Sequence, residues 1–398
     1  MRDLRPLLDK LLPDLIDFRR DLHQHPECSY REERTAARVL ERLKEIPDIE
    51  LRTGVAGTGI VATLAGDKAG PCVALRADMD ALPIEEQSSV PHRSQVAGTM
   101  HACGHDGHTA CLLGAAQMLA ACADELQGPV KFIFQPAEEG GAGGKRMCQE
   151  GALDGPEVAA IFGLHGAPDM EVGEIFLRTG PVLASADEFE IAVEGLGAHA
   201  AFPHQGVDTV YIAAQIVVAL QTIVARNTDP LDSAVVTVGH IAAGSASNII
   251  PQTAKLVGTV RALSEETRQR TIDRVGQIAE HTAAAFGGRA EVRFGEDGYP
   301  ATYNDARARA VAEQTVRDAL ADTIRTRELE NPIMGAEDFA FYGQRVPAFM
   351  FGLGLRPRDA SSYPMLHQPD FDFNDDAIAY GVRMHVEIAR GFAQKWGV

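Results

Sequence analysis

The stretch His101-Ala102-Cys103-Gly104-His105-Asp106-Gly107-His108 gathers one thiol, three imidazoles and a carboxylate around two glycines. All of these side chains bind divalent metal or move protons, and the glycines let the backbone turn tightly. Cys103 and His105 lie two apart, so an extended or turning segment can aim both at one ion. Thr109 to Leu126 then reads as a helix anchoring the loop. Taken alone, a Cys-x-His pair is weak evidence, and a solvated polar loop with a buried cysteine accounts for it better.

Other stretches change that balance. Three short apolar runs, Cys72–Arg76, Val130–Phe134 and Val158–Leu164, read as buried strands. The first ends in Arg76-Ala77-Asp78-Met79-Asp80, the second in Gln135-Pro136-Ala137-Glu138-Glu139, and the third at His165. Each thus delivers an acid or an imidazole at its carboxyl end, where open α/β sheets place their ligands. His367 follows in a long loop. Cys103, His105, Glu139, His165 and His367 are more ligands than one catalytic tetrahedral ion takes from a protein. If Cys103 bridges, the five side chains serve two ions, and a binuclear hydrolytic site fits best. Adjacent glutamates do not comfortably ligate one ion together. One carboxylate of Glu138-Glu139 on metal leaves the other to take a proton from water and pass it to a leaving amine.

The elements that must hold these groups follow from periodicity. Leucines from Leu4 to Leu15, with Ile16 and Phe18, recur at helical spacing up to Pro26, with Pro13 as a candidate kink, and a second helix covers about Arg31 to Ile46. Near Ser185 the pattern changes to strand (Phe189–Glu194), helix (Val207–Arg226), strand (Ala234–Ile241), strand (Thr253–Leu263), helix (Glu265–Phe286), strand (Ala290–Phe294). Ser264 is placed to cap the second of these helices, with Glu265 and Glu266 at its positive end. This βαββαβ order is ferredoxin-like. A helix at Asp305–Leu320, a strand at Ala348–Gly352 and a helix at Asp375–Trp396 resume the earlier character. The expectation is an α/β fold: a discontinuous catalytic domain, 1–184 and 299–398, with a mostly parallel central sheet flanked by helices, and an inserted ferredoxin-like lid and dimerisation domain, 185–298.

A chain of 398 residues is too long for one ordinary core, and 45% apolar with 23% charged residues fits a globular protein. A net charge of −19 argues against nucleic acid or an anionic membrane as partner, though one arginine suffices for a small anionic substrate. The six cysteines all fall before residue 150, at spacings that suggest neither a disulfide scaffold nor a Cys-x-x-Cys zinc site, so reduced thiols and a cytoplasmic location are expected. The N-terminus lacks the apolar core of a signal peptide, and no stretch is expected to reach the length of a membrane span.

Leu22-His23-Gln24-His25-Pro26-Glu27, Arg76 to Pro83, Cys103-Gly104-His105-Asp106, Gln135 to Gly141, Gly197-Ala198-His199-Ala200 and Asn248-Ile249-Ile250-Pro251 together resemble, in order and over nearly the whole chain, the metal-dependent aminoacylase, hippurate hydrolase and carboxypeptidase family. The chain is most similar to its N-acyl-amino-acid amidohydrolase branch, which includes the indole-acetate conjugate hydrolases. The resemblance implies that Cys103 bridges two ions, with Glu139 and His367 completing one site and His105 and His165 the other. It makes Glu138 the general base and acid, Asp78 a supporting group, and His199, from the lid of an opposite subunit, the oxyanion donor with Asn248 nearby. Arg261 would engage the substrate carboxylate, and Glu337, in Gly335-Ala336-Glu337-Asp338-Phe339, would line the pocket or cap a helix. His101 and His108 have no part in the pattern and read as supporting groups.

The implied activity is hydrolysis of N-acyl-L-amino acids, hippurate-like or N-acetylated, by a homodimer or higher homo-oligomer. N-acetyl-diaminopimelate deacetylase and dipeptidase are alternatives within the family. A thiolate favours two zinc ions first, or cobalt or nickel, while carboxylate and imidazole also admit manganese. Two readings of other classes stand beside these. A cysteine-nucleophile amidase would use Cys103 with His105 or His108 as base, and leaves Glu139, His165 and His367 unexplained. A non-catalytic metal-binding protein would have no need of Glu138.

Overall fold

The computed structural model describes residues 2–397 and divides them into two compact units, one of 2–180, 303–330 and 338–397, the other of 181–302 and 331–337. The sequence placed the boundaries at 184/185 and 298/299. It did not assign 331–337 to the smaller unit, because a short loop segment carries no periodicity.

The larger unit opens with α1 (Arg5–Gln24), which runs through Pro13, and α2 (Glu33–Leu43). β1 (Glu50–Val55), β2 (Gly59–Leu64) and β3 (Cys72–Asp78) follow, then α3 (His105–Ala120), β4 (Val130–Gln135), β5 (Val158–Glu171) and β6 (Glu174–Leu177). β2, β3 and β4 are buried at every position, as expected of strands covered on both faces. Two expectations are corrected here. α3 begins at His105, four residues before the apolar run, because Gly104 takes a left-handed conformation (φ +88°) that turns the loop directly into the helix. β5 continues to Glu171, so His165 lies within a strand, opposite Gly352; the apolar run stops at Leu164 but the backbone pairing does not.

The smaller unit contains β7 (Asp187–Glu194), α4 (Thr209–Thr222), β8 (Ala234–Ala243), β9 (Thr253–Ala262), α5 (Glu265–Ala285) and β10 (Arg289–Phe294). The strands form an antiparallel sheet in the order β8-β9-β7-β10, the ferredoxin-like arrangement. Ser264 caps α5 by accepting the Thr267 N–H at 3.2 Å. With the π-helical turn Ile223–Asn227, α4 gives a stretch, Thr209–Asn227, that is long and apolar enough by length and composition to cross a membrane, which corrects the expectation that none exists. Its interspersed Thr, Tyr and Gln disguise the run in sequence. One face, with Ile212, Ala213, Ile216, Leu220 and Ile223, joins the core of this unit, while Val210, Tyr211, Val218 and Val224 are exposed.

The chain then returns to the larger unit with α6 (Ala306–Thr315), β11 (Arg325–Glu328), β12 (Ala348–Arg356) and α7 (Ile378–Trp396). Its sheet runs β1-β2-β4-β3-β5-β12-β6-β11, and β4, β3, β5 and β12 form a parallel centre. α1, α3 and α7 pack closely, since a Cβ at Gly114 would lie 2.6 Å from Leu15 and 2.8 Å from Val382. α3 is buried along nearly its whole length and apolar on every side beyond its polar first turns, so its start is fixed by the core behind it.

Candidate metal centre

The groups converge where β3, β4 and β5 meet the start of α3. Ligand atoms of Cys103, His105 and His165 lie within 4.8 Å of one another, and so do those of Cys103, Glu139 and His367. The two triads share Cys103. In the first, His165 Nε2 is 3.5 Å from the Cys103 sulfur, while its Nδ1 donates to the Gly166 carbonyl at 3.0 Å. His105 Nδ1 lies 3.3 Å from Asp80 Oδ1, which leaves Nε2 as its inward atom. In the second, His367 Nε2 is 3.2 Å from Glu139 Oε1.

These atoms fit a pair of divalent cations. His105 Nε2 and Glu139 Oε1 are buried and, the His367–Glu139 ion pair aside, make no hydrogen bond among the described residues, which leaves each a lone pair for the ion of its own triad. The electrostatics agree. Burial opposes charge on His105, but Asp78, Asp80 and Glu139 outweigh it and raise its pKa to about 10. Burial, together with Glu139, Glu138 and Asp78, pushes the Cys103 thiol well above its ordinary range, so its thiolate requires a nearby positive charge. That also speaks against Cys103 as a free nucleophile, which would need a lowered pKa.

Asp80 ties both triads together. It accepts the backbone N–H groups of Glu138 at 3.0 Å and Glu139 at 2.9 Å, the Ser29 hydroxyl at 2.7 Å, and contacts His105. Burial works against its charge, but the His105 and Ser29 bonds and the Glu139 N–H hold its pKa below the ordinary value. The sequence signal for Asp80 is its place two residues after Asp78, just past the end of a buried strand. Asp78 is fully buried, accepts His108 Nδ1–H at 2.7 Å and pairs with Arg76 at 2.7 Å. His108 Nε2 in turn accepts the Gly166 N–H at 2.9 Å, so this imidazole is neutral; burial lowers its pKa to about 4 despite Asp78.

Glu138 is buried beside these groups, and its Oε1 accepts the Asp338 N–H at 3.3 Å. Asp338, which sequence reasoning did not single out, accepts from Arg76 at 3.0 Å, Gln135 at 2.7 Å and the Gly144 N–H at 2.7 Å. The turn carrying Glu138 and Glu139 is strained: Ala137 and Ala142 both have left-handed φ (+54° and +50°). Glu32 helps hold it by accepting the Ala137 N–H at 2.9 Å.

In the smaller unit, Ile249 pairs with His199, and the Asn248 carbonyl accepts the Ala200 N–H at 3.0 Å, so His199 and Asn248 stand together. His199 Nδ1 accepts the Ala201 N–H at 3.1 Å, which places the ring proton on the exposed Nε2 and makes it a donor. Arg261 is half-buried, bonds Thr259 and the Val260 carbonyl, and forms no ion pair among the described residues; burial lowers its pKa despite Asp187. Glu337 is buried and its carbonyl accepts from Thr302 at 3.2 Å. It does not cap the helix Ala340–Gly343, whose N-cap is Phe339.

The profile of peptidase family M20/M25/M40 matches residues 74–391. N-acetyl-L-cysteine deacetylase of Bacillus subtilis is 42% identical over 93% of this chain and 86% of its own. IAA-amino acid hydrolase ILR1-like 4 of Arabidopsis thaliana is 38% identical over 94% and 84%. Among solved structures, YXEP of Bacillus subtilis, a dinuclear metal-binding M20 peptidase, superposes with a TM-score of 0.83 at 36% identity, covering 97% and 99% of the two chains. The chain belongs to the M20/M25/M40 family and is a hydrolase of amide bonds.

Proposed function

We propose that this family member hydrolyses N-acyl amino acids to a carboxylic acid and a free amino acid at a binuclear centre held by Cys103, His105, Glu139, His165 and His367. The observation that carries the reading is the pair of triads joined at Cys103 with Glu138 alongside. When bound, two divalent cations there supply Lewis acidity toward an amide carbonyl and acidify water. Zinc suits the thiolate best, with cobalt, nickel or manganese admitted by the remaining donors.

Glu138 takes the proton of the attacking water and delivers it to the departing amine nitrogen. Its carboxylate is aimed by the Asp338 N–H, and its backbone by Asp80. His199 Nε2–H, in the tautomer set by Ala201, donates to the oxygen that gathers negative charge. Arg261, with its guanidinium free of acidic partners among the described residues, takes the substrate carboxylate, and Asn248 supports His199. Glu337 contributes to the pocket wall. The deacetylase and conjugate-hydrolase activities named for the relatives support an N-acyl amino acid as substrate.

A homodimer completes this picture. β8 lies at the edge of its sheet, and the adjoining α4 exposes Val210, Tyr211, Val218 and Val224, a face that a second copy would cover. His199 would then act on the site of the other subunit. Six unpaired cysteines support action in the reducing cytoplasm.

Glu138→Gln tests the chemistry. Zinc content should stay at the wild-type level while release of free amine from N-acetyl amino acids or hippurate falls by about 10²–10⁴-fold. Full turnover in that variant removes Glu138 from the mechanism. Mixing inactive His199→Ala with inactive Glu138→Gln should restore activity if the site is shared, and no recovery rejects the shared site.

A further inference from the structure

Arg19 of α1 is fully buried, and its guanidinium is surrounded by acids from two distant parts of the chain. Its Nε lies 2.7 Å from Asp106, the residue after His105. Its Nη atoms reach Asp372, Asp375 at 3.4 Å, His92 at 3.0 Å and His23 at 3.3 Å. His92 also touches Asp372, at 3.1 Å, and His23 also touches Asp106, at 2.9 Å. One planar fork therefore joins the first turn of α3 to the segment 372–375.

That segment alternates. Phe371 and Phe373, both fully buried, pack on the metal loop, where a Cβ at Gly107 would come within 2.3 Å of Phe373 and one at Gly104 within 3.0 Å. Asp372, between them, turns to Arg19. Backward along the chain, two tight turns connect Phe371 to His367: Phe371 N–H to the Gln368 carbonyl at 3.1 Å, and Gln368 N–H to the Met365 carbonyl at 3.2 Å. His367 itself donates its N–H to Ala102 at 2.8 Å and holds a left-handed φ of +65°, unusual for any residue but glycine. Such a conformation persists only where the surroundings enforce it.

Resting on the reading of Cys103, Glu139 and His367 as a cation site, we propose that Arg19 is a positioning residue that clamps the His367 loop to the start of α3. A buried ion pair contributes little net stability compared with apolar packing, whereas its fixed geometry sets register between elements. Here the register is between His105 and His367, ligands of opposite triads joined by no shared secondary structure.

The test is zinc binding by calorimetry and chelator competition in wild type, Arg19→Lys, Arg19→Met, Asp372→Asn and His367→Ala, with circular dichroism and melting to verify folding. Arg19→Lys keeps the charge and loses the fork, and Asp372→Asn keeps the shape, so both remain informative if Arg19→Met does not fold. The expected result is one firmly held ion and a second weakened at least about tenfold, the pattern of His367→Ala. Wild-type affinity for both ions in folded Arg19→Lys and Asp372→Asn overturns the clamp, as does equal weakening of both ions, which would mean a general packing role. A wild-type chain that takes up fewer than two zinc ions overturns the binuclear reading itself, and the clamp with it.

Discussion

The two triads share Cys103 but are built from different material. His105 and His165 sit on a helix start and within a central strand, with partners for their outer nitrogens and a packed core behind. Glu139 and His367 sit on loops with left-handed residues, and the His367 side chain is 53% exposed. The first half is prepared by secondary structure, and the second is imposed on loops by contacts from elsewhere. The half open to solvent is therefore the one expected to exchange its ion.

The largest effect should come from Cys103→Ala, which belongs to both halves. Bound zinc, measured by elemental analysis after gel filtration, should fall from about two equivalents to about none, with turnover lost. Retention of both ions would dissolve the pairing of the triads. Next, His367→Ala should keep one ion through a chelator titration that strips the other, whereas His165→Ala should lose the tighter ion. The reverse order would invert the comparison. Asp80→Asn should weaken zinc by about 10–100-fold, since Asp80 orients His105 and holds the turn of Glu138 and Glu139; unchanged affinity would show that the halves stand independently of it.

The smallest effect concerns the packing behind the buried half. His385 of α7 is fully buried beside Phe351, neither ring nitrogen has a hydrogen-bond partner among the described residues, and burial, aided by His108, lowers its pKa to about 3. Above an unfolded pKa of about 6.5 the ring is neutral in both states and adds no pH dependence to stability. As pH falls from there toward about 3, the unfolded chain gains a proton that the folded one refuses, removing up to about 1.4 kcal/mol per pH unit. Urea melts of His385→Leu should show a flatter decline over that window than wild type, and parallel profiles would count against it.

Periodicity made the central strands and long helices legible, because burial on both faces or on one stripe leaves its mark on residue order. It failed where the backbone, not the side chains, decides. The pairing of β5 past Leu164 and the start of α3 at His105 depend on a neighbouring strand and a left-handed glycine. The five ligand candidates were visible as residue types at the ends of apolar runs and through resemblance. Asp80, Asp338 and Arg19 were not, since each acts by joining segments distant in sequence and none carries a metal-binding signature. His108 reads as a surplus imidazole until its two partners, Asp78 and Gly166, are seen.

If the proposed centre hangs both cations on the Cys103 sulfur, it has a price in robustness. Any oxidant that converts the Cys103 thiol to a sulfinic acid would disconnect both halves together, so damage at a single atom silences a molecule outright and leaves no half-active population. Bound ions would shield that atom by holding its electron pairs. Loss of metal and loss of the thiol should thus feed each other under oxidative stress.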